Sequence, residues 1–415
     1  MIRIALAQIN SAVGDLSGNT SKILSYIDKA KDLDVDLIAF PELAITGYPP
    51  EDLVFRNQFV QENMKCSSEI SAHANGITAI FGFVELDDKL YNSAAIASDG
   101  CMKGTHKKIF LPNYGVFDEE RYFESGNTCA VFTINGTKVG VNVCEDIWYS
   151  KGPATVQRAA GAELIVNING SPFHAGKRQD RESMLIERAT DHGLFIAYVN
   201  QVGGQDELVF DGSSVVIDPE GKVISRGKSF EEDLVICDID ITPLRQARER
   251  NSQEFQVDGL ENIGKPIHEY ISEETNQPKK TFSSKNIKPS SHIEEVRKAL
   301  VLGTRDYVNK SGFQKVLIAL SGGIDSSSLC CMIDSISDNG QTTFSLRSTF
   351  PKYDEFEYAK EVINHIKISS FHEIYLEPVD IFDKIEELVW YMDEPFSSTS
   401  IVGQSDLFSS ISSNK

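Results

Sequence analysis

Glu42, Lys108 and Cys144 carry the side-chain chemistry for attack on an amide. Cys144 follows Lys138-Val-Gly-Val-Asn-Val143, where Val139, Val141 and Val143 alternate with Gly140 and Asn142, so the thiol is expected at a strand end. Glu42 follows the apolar run Leu37-Ile-Ala-Phe40, and Lys108 opens the stretch that leads to Glu119. A carboxylate can take the thiol proton and later activate water. The thiolate attacks a carbonyl, and an ammonium steadies the oxyanion. Spacing alone also allows a small buried cysteine and two solvated charges.

A second set is Ser321-Gly-Gly-Ile-Asp-Ser-Ser327, after the apolar run Val316-Leu-Ile-Ala-Leu320 and before an expected helix reaching about Asp338. Gly322 and Gly323 let the backbone approach an anion, and N–H groups at a helix start favour negative charge. Ser321, Ser326 and Ser327 add donors, Ile324 lies within the same loop, and Asp325 is placed to hold Mg²⁺ against phosphates. No Lys-Ser/Thr pair follows the glycines, so the loop is not of the Walker A kind.

The elements that must position these residues are legible as patterns. Strands are expected at Ile2–Gln8, Leu37–Phe40, Ile77–Val84, Leu90–Ala97, Val131–Ile134, Val139–Val143, Leu164–Ile168, Phe195–Val199, Ser213–Ile217 and Leu234–Ile239. Helices are expected at Asn19–Leu33, Ala154–Ala160, Arg178–His192 and from His292 onward. Between Thr242 and Pro289 periodicity dissolves, which reads as a linker or an arm laid over a partner. The expected organisation is therefore an α/β sandwich domain at 1–242, a linker or arm at 243–289 and a second domain at 290–415.

Composition bounds the function. With 415 residues and 41% hydrophobic content there is material for two cores, and the net charge of −21 argues against a nucleic-acid surface or a polybasic membrane patch. Met1-Ile-Arg-Ile reads directly as a strand, and no run of 18 apolar residues occurs, so a cytoplasmic location with no membrane association is expected. Apart from the adjacent pair Cys330-Cys331, the seven cysteines lack metal spacing, and they suit a reducing compartment.

The wording around each residue is more specific than its spacing. Phe40-Pro-Glu-Leu-Ala-Ile-Thr-Gly-Tyr-Pro-Pro-Glu-Asp-Leu53, Lys108-Ile-Phe-Leu-Pro-Asn-Tyr-Gly-Val-Phe-Asp-Glu-Glu-Arg-Tyr-Phe123 and Val143-Cys-Glu-Asp-Ile-Trp148 resemble the three signatures of the nitrilase superfamily. Their form is that of the glutaminase domain of glutamine-dependent NAD synthetases, and Asn169-Gly-Ser-Pro-Phe173 and Glu207-Leu-Val-Phe-Asp-Gly212 continue the likeness. The resemblance implies an αββα sandwich with Glu42 as general base, Lys108 as electrophilic support and Cys144 as nucleophile. It also implies a glutamine contact at Tyr114, Ser171 and Lys177, with Glu145 contributing, and Glu119 as a further carboxylate beside Lys108.

The Ser321–Ser327 loop resembles that of the N-type ATP pyrophosphatases, and the run from His292 to Asp325 is again similar to NAD synthetase. That family cuts ATP between the α and β phosphates, adenylates a carboxylate and lets ammonia displace AMP. ATP as substrate, Mg²⁺, no tightly bound organic cofactor and a homo-oligomer are what the resemblance implies. After Ser327 the wording changes. Thr343-Phe-Ser345, Tyr353-Asp-Glu355 with Ala359, His372-Glu373 and Met392-Asp-Glu-Pro-Phe396 look like the synthetase half of asparagine synthetases. Two readings stay open there: a Rossmann-like domain that stops short, or a hybrid. The acceptor is expected to be deamido-NAD⁺, with aspartate or another carboxylate, and a stand-alone amidase, as the alternatives.

Overall fold

The computed structural model describes residues 1–250, 255, 257, 259–274, 282, 284–314, 317–335, 340–348, 354–376, 381–392 and 400–413. Its strands are β1 (Ile2–Gln8), β2 (Leu37–Ala39), β3 (Thr78–Leu86), β4 (Leu90–Ser98), β5 (Cys101–Lys107), β6 (Thr128–Ile134), β7 (Thr137–Val143), β8 (Leu164–Asn169), β9 (Phe195–Asn200), β10 (Val202–Gln205), β11 (Leu208–Asp211), β12 (Val215–Ile217), β13 (Val223–Arg226), β14 (Asp233–Ile239), β15 (Lys265–Tyr270), β16 (Leu317–Ala319), β17 (Gln341–Ser348) and β18 (Ile368–Leu376). The helices are α1 (Leu16–Lys31), α2 (Asn57–His73), α3 (Pro153–Ala159), α4 (Lys177–His192), α5 (Thr242–Arg250), α6 (His292–Lys310), α7 (Ile324–Asp334), α8 (Phe356–Ile363), α9 (Ile381–Met392) and α10 (Ser400–Ser413).

The chain forms two compact units, Met1–Gly303 and Thr304–Lys415. In the first, two sheets stack face to face. One runs β14-β1-β2-β3-β4-β5 and the other β13-β12-β9-β8-β7-β6-β15. Alternation puts Ile2, Ile4 and Leu6 of β1 and Val139, Val141 and Val143 of β7 into the shared core between the sheets. The intervening residues of β1, Ala5 and Ala7, pack outward with Ile23 and Ile27 of α1. Met184, Leu185 and Ala189 of α4 cover the outside of the second sheet with Ile165 and Ile196. The αββα sandwich expected from the sequence is thus observed.

The parallel register of β7 with β8, where Val143 faces Ile168, and of β8 with β9 brings three strand exits to one rim. Cys144 and Ser171 follow the exits of β7 and β8 there. The second unit holds a parallel sheet in the order β16-β17-β18, with α7 leaving directly after the loop that follows β16.

Several boundaries differ from expectation. Helix α1 starts at Leu16 because the Asp15 side chain caps the N–H of Gly18. Helix α2 has no expected counterpart. Its packed face includes Asn63, Ser67 and Ser71, small polar residues that blur the apolar period, and Asn63 Nδ2 donates to the carbonyl of Val84 at 2.6 Å. The segment expected to be a linker contains α5 and strand β15, which extends the second sheet in parallel beside β6. Every residue of β15 is exposed, so burial gave it no apolar period to read. Val316, Asp338, Tyr353 and the run 393–396 lie outside the described residues. Among those described, no helix is long and apolar enough to cross a membrane.

Candidate active site

Glu42, Lys108 and Cys144 leave β2, β5 and β7 at the same rim. Lys108 is fully buried, and its Nζ donates to Glu42 Oε1 at 2.7 Å and to Glu119 at 2.8 Å. Asn92 of β4 donates to Glu42 Oε1 at 2.7 Å, and the backbone N–H of Gly170 donates to Glu42 Oε2 at 2.8 Å. The Tyr48 hydroxyl donates to Glu119 Oε1 at 2.8 Å. One ammonium thus sits between two buried carboxylates, each held by further donors.

Cys144 opens a short 3₁₀ turn, Cys144–Ile147, with its backbone at φ +44°. A non-glycine residue there is strained, and such strain persists only when the surroundings hold it. Asp146 is the holder. Its Oδ2 accepts from the Val143 N–H at 3.0 Å and lies 3.1 Å from His106 Nε2. Its Oδ1 accepts from Ile109 and Phe110, both at 3.0 Å. The exit of the cysteine strand is therefore fastened to the residues that follow Lys108.

The electrostatics follow from burial. Desolvation, then the charge of Glu42, pushes the Cys144 thiol well above its ordinary range, while Lys108 pulls it down. Burial works against the Lys108 ammonium, but Glu119 and Glu42 outweigh it and hold its pKa well above the usual lysine value. Burial raises the Glu119 carboxyl against the pull of Lys108. Burial and Glu42 thus disfavour the thiolate, while the two carboxylates favour the ammonium beside it.

Of the four residues expected to touch substrate, Tyr114, Glu145 and Lys177 lie within electrostatic reach of the thiol. The Tyr114 hydroxyl donates to both Glu145 oxygens, at 3.0 and 3.1 Å, and its ring is 57% exposed. Glu145 is buried, and desolvation raises its carboxyl although the Tyr114 bond opposes that. Lys177 lies over the Trp148 ring, 4.2 Å from its centroid, and burial, then Arg181, lowers its pKa. Ser171 is buried just beyond β8, its N–H on Asn200 Oδ1 at 2.9 Å. Lys177 feels the charges of both Cys144 and Glu145, which puts it in the same field. Sequence reasoning did not find Asn92, Tyr48, His106 or Asp146. Tyr48 and Asp146 lie inside the quoted signatures, whereas Asn92 and His106 carry no local signal.

In the second unit the loop has the expected form. Gly322 has φ +88°, and a Cβ there would meet the backbone nitrogen of Ala359 at 2.6 Å. Ser321 Oγ accepts from the Gly323 N–H at 3.2 Å and lies 3.0 Å from Ser326 Oγ. Ile324 and Asp325 start α7 exposed, and Ser327 Oγ is buried without a protein partner. Among the described residues no group of three or more His, Cys, Asp or Glu could hold a metal. A Mg²⁺ that keeps its waters and takes phosphate oxygens needs only one or two carboxylates, so Asp325 alone fits that mode.

An αββα sandwich whose strand exits bring together a buried glutamate, lysine and cysteine has the fold of the carbon–nitrogen hydrolases. The carbon-nitrogen hydrolase family matches residues 3–249, and the asparagine synthase family matches residues 308–415. Among curated relatives, the glutamine-dependent NAD(+) synthetase of Aquifex aeolicus is 40% identical over 91% of this chain and 66% of its own length. That of Thermotoga maritima is 39% identical over 89% and 64%. The chain thus spans just under two thirds of the length of these relatives. Among solved structures, the glutamine-dependent NAD+ synthetase of Acinetobacter baumannii in complex with ADP has a TM-score of 0.77 and 32% identity, over 96% of this chain and 69% of that one. An amidase from Nesterenkonia sp. shares the fold of the first unit, with a TM-score of 0.52 and 24% identity over 61% of this chain and 96% of that one.

The chain belongs to the carbon-nitrogen hydrolase family and, within it, to the glutamine-dependent NAD(+) synthetases. The 91% coverage is too large for the likeness to stop at Ser327, so the NAD-synthetase resemblance runs further than its wording indicates. The asparagine-synthase match over the same stretch accounts for the second resemblance read there.

Proposed function

We propose that the protein hydrolyses glutamine at Cys144 and supplies the ammonia to an adenylated carboxylate formed from ATP, with deamido-NAD⁺ as acceptor and NAD⁺ as product. The observation that carries the first half is Lys108 buried between Glu42 and Glu119 beside a thiol on a strained turn.

Glu42 takes the Cys144 proton as sulfur attacks the glutamine side-chain carbonyl carbon, so a thiol with a raised pKa need not ionise in the resting enzyme. Lys108, kept charged by its two carboxylates, stabilises the oxyanion. On collapse the C–N bond breaks, and the proton held by Glu42 goes to the leaving nitrogen as ammonia departs. Glu42 then draws a proton from water as its oxygen attacks the thioester carbon; the C–S bond breaks, Glu42 returns the proton to sulfur, and glutamate leaves. Tyr114, Glu145, Ser171 and Lys177 hold the amino-acid end. Glu145 suits its ammonium and Lys177 its carboxylate.

In the second unit, the Ser321–Ser327 loop receives the phosphates of ATP, with Asp325 offered to a Mg²⁺ ion. The likeness to the ADP-bound synthetase structure supports this reading. A cytoplasmic homo-oligomer completes it. Ammonia release from glutamine and AMP formation, measured with deamido-NAD⁺ and with aspartate, test the assignment. AMP with aspartate alone would move the acceptor to an amino acid. Ammonia with no AMP from either would leave an amidase.

A further inference from the structure

Helix α4 begins at Lys177, and its second residue, Arg178, is buried. Arg178 Nε donates to Glu295 Oε1 at 2.5 Å, and Glu295 is itself buried near the start of α6. Arg178 also lies 3.6 Å from Glu182, whose carboxylate accepts from Arg226 of β13 at 3.1 and 2.7 Å. Arg226 reaches on to Asn286 and the carbonyl of Ile287, the stretch that enters α6. Two guanidiniums and two carboxylates alternate, so their charges cancel, and removing one strands its partner away from water.

At the other end of the same segment stands Phe173, two residues beyond Ser171. Its N–H donates to the carbonyl of Val209 at 2.7 Å, and its ring meets Phe230 edge-on at 5.2 Å. Ala299 and Leu302 of α6 pack in the same cluster. Glu295, Ala299 and Leu302 lie on one face of α6 at helical spacing. The segment from Ser171 to Arg178 is thus gripped at both ends by one helix face, beyond residue 249, where the hydrolase-family match stops.

We infer that the stretch Glu295–Leu302 of α6, with the strand-like stretch at 285–287, is a working part of the amide-binding site. Glu295, through Arg178, and Leu302, through Phe173, position Lys177 and Ser171 and so set the affinity for the amino-acid end of the substrate. They do not touch the Glu42–Lys108–Glu119 set, so the reactivity of the thiol itself is independent of them. The inference rests on glutamine as substrate, and its test separates the two.

The test uses the full chain with Glu295→Gln, which keeps the shape, and Leu302→Ala as a second variant. Each is compared with wild type in glutamine kinetics, in Cys144 alkylation by iodoacetamide, which lacks the amino-acid end, and in amide hydrogen exchange over 171–181. The expected result is a KM for glutamine raised about tenfold with kcat within about threefold. Alkylation should stay within about twofold, and exchange over 171–181 should quicken. Unchanged KM and exchange would overturn the inference, as would a joint fall of kcat and alkylation, which reports general damage. If wild type releases no ammonia from glutamine, the glutamine reading fails on that arm. Hydrogen exchange still decides whether α6 holds the segment.

Discussion

Asp146 Oδ1 accepts the backbone N–H of Ile109 at 3.0 Å, which ties the residue two past the nucleophile to the residue next after the lysine. Its other oxygen holds Val143 and meets His106, so one carboxylate fixes both arms of the site. An Asn at 146 would keep one acceptor but turn an NH₂ toward donors. Asp146→Asn should therefore cost about 1–3 kcal/mol of stability. It should also lower kcat for glutamine by about 10²-fold through misplacement of Lys108 against Cys144. Chemical denaturation and steady-state kinetics on the same preparation check both.

Glu42 plays two parts that one variant separates. Its charge raises the thiol pKa, so Glu42→Gln should let iodoacetamide alkylate Cys144 faster at alkaline pH. The same change removes the proposed base and should lower glutamine hydrolysis by about 10²–10⁴-fold. In wild type the alkylation rate should still be rising above pH ~9, past the ordinary thiol range. A plateau near pH 8 would contradict the raised thiol.

Lys108→Met removes the only cation bonded to Glu42 and Glu119 among the described residues. The loss of stability near neutral pH should be about 3–5 kcal/mol, because two buried carboxylates face each other. Burial already raises the Glu119 pKa, and losing Lys108 removes the pull that lowers it. A carboxyl with a raised folded pKa favours folding below its unfolded value, about 4.3, and that contribution is lost as pH rises through the folded pKa. The variant should therefore melt higher at pH 5 than at pH 8 relative to wild type, which calorimetry across that range would show.

The two proposed chemistries should part cleanly. Cys144→Ala should abolish ammonia release from glutamine and leave amidation driven by added ammonium salts. Gly322→Ala should do the reverse. Its Cβ would stand 2.6 Å from both the Ala359 nitrogen and the Tyr358 Cβ, at a φ of +88° that side chains disfavour. Loss of AMP formation with glutaminase activity kept is the expected result, and loss of both from either variant would argue against separate sites.

Much of this was open to reading before any coordinates. The alternating valines of β7, the apolar β2 and β8 and the quoted signatures determined a layered α/β domain and pointed to Glu42, Lys108, Cys144, Tyr114, Glu145, Ser171 and Lys177 as candidate site residues. Such features are local, since strand period and a residue's place within a signature survive in one dimension. Helix α2 escaped because its packed face uses serine and asparagine, and β15 because an exposed edge strand needs no apolar alternation.

The tertiary structure alone decided who serves the reacting groups. Asn92 reaches Glu42 from 50 positions away, and Glu295 meets Arg178 across 117. Nothing within a few residues of Asn92 or Glu295 marks either, because a hydrogen bond between distant elements leaves its requirement in the fold. The sequence fixes which atoms can react, through side-chain chemistry carried at each position. Burial, charge balance and the strained turn at Cys144 arise only when separate strand exits meet away from water, and they determine whether those atoms are poised.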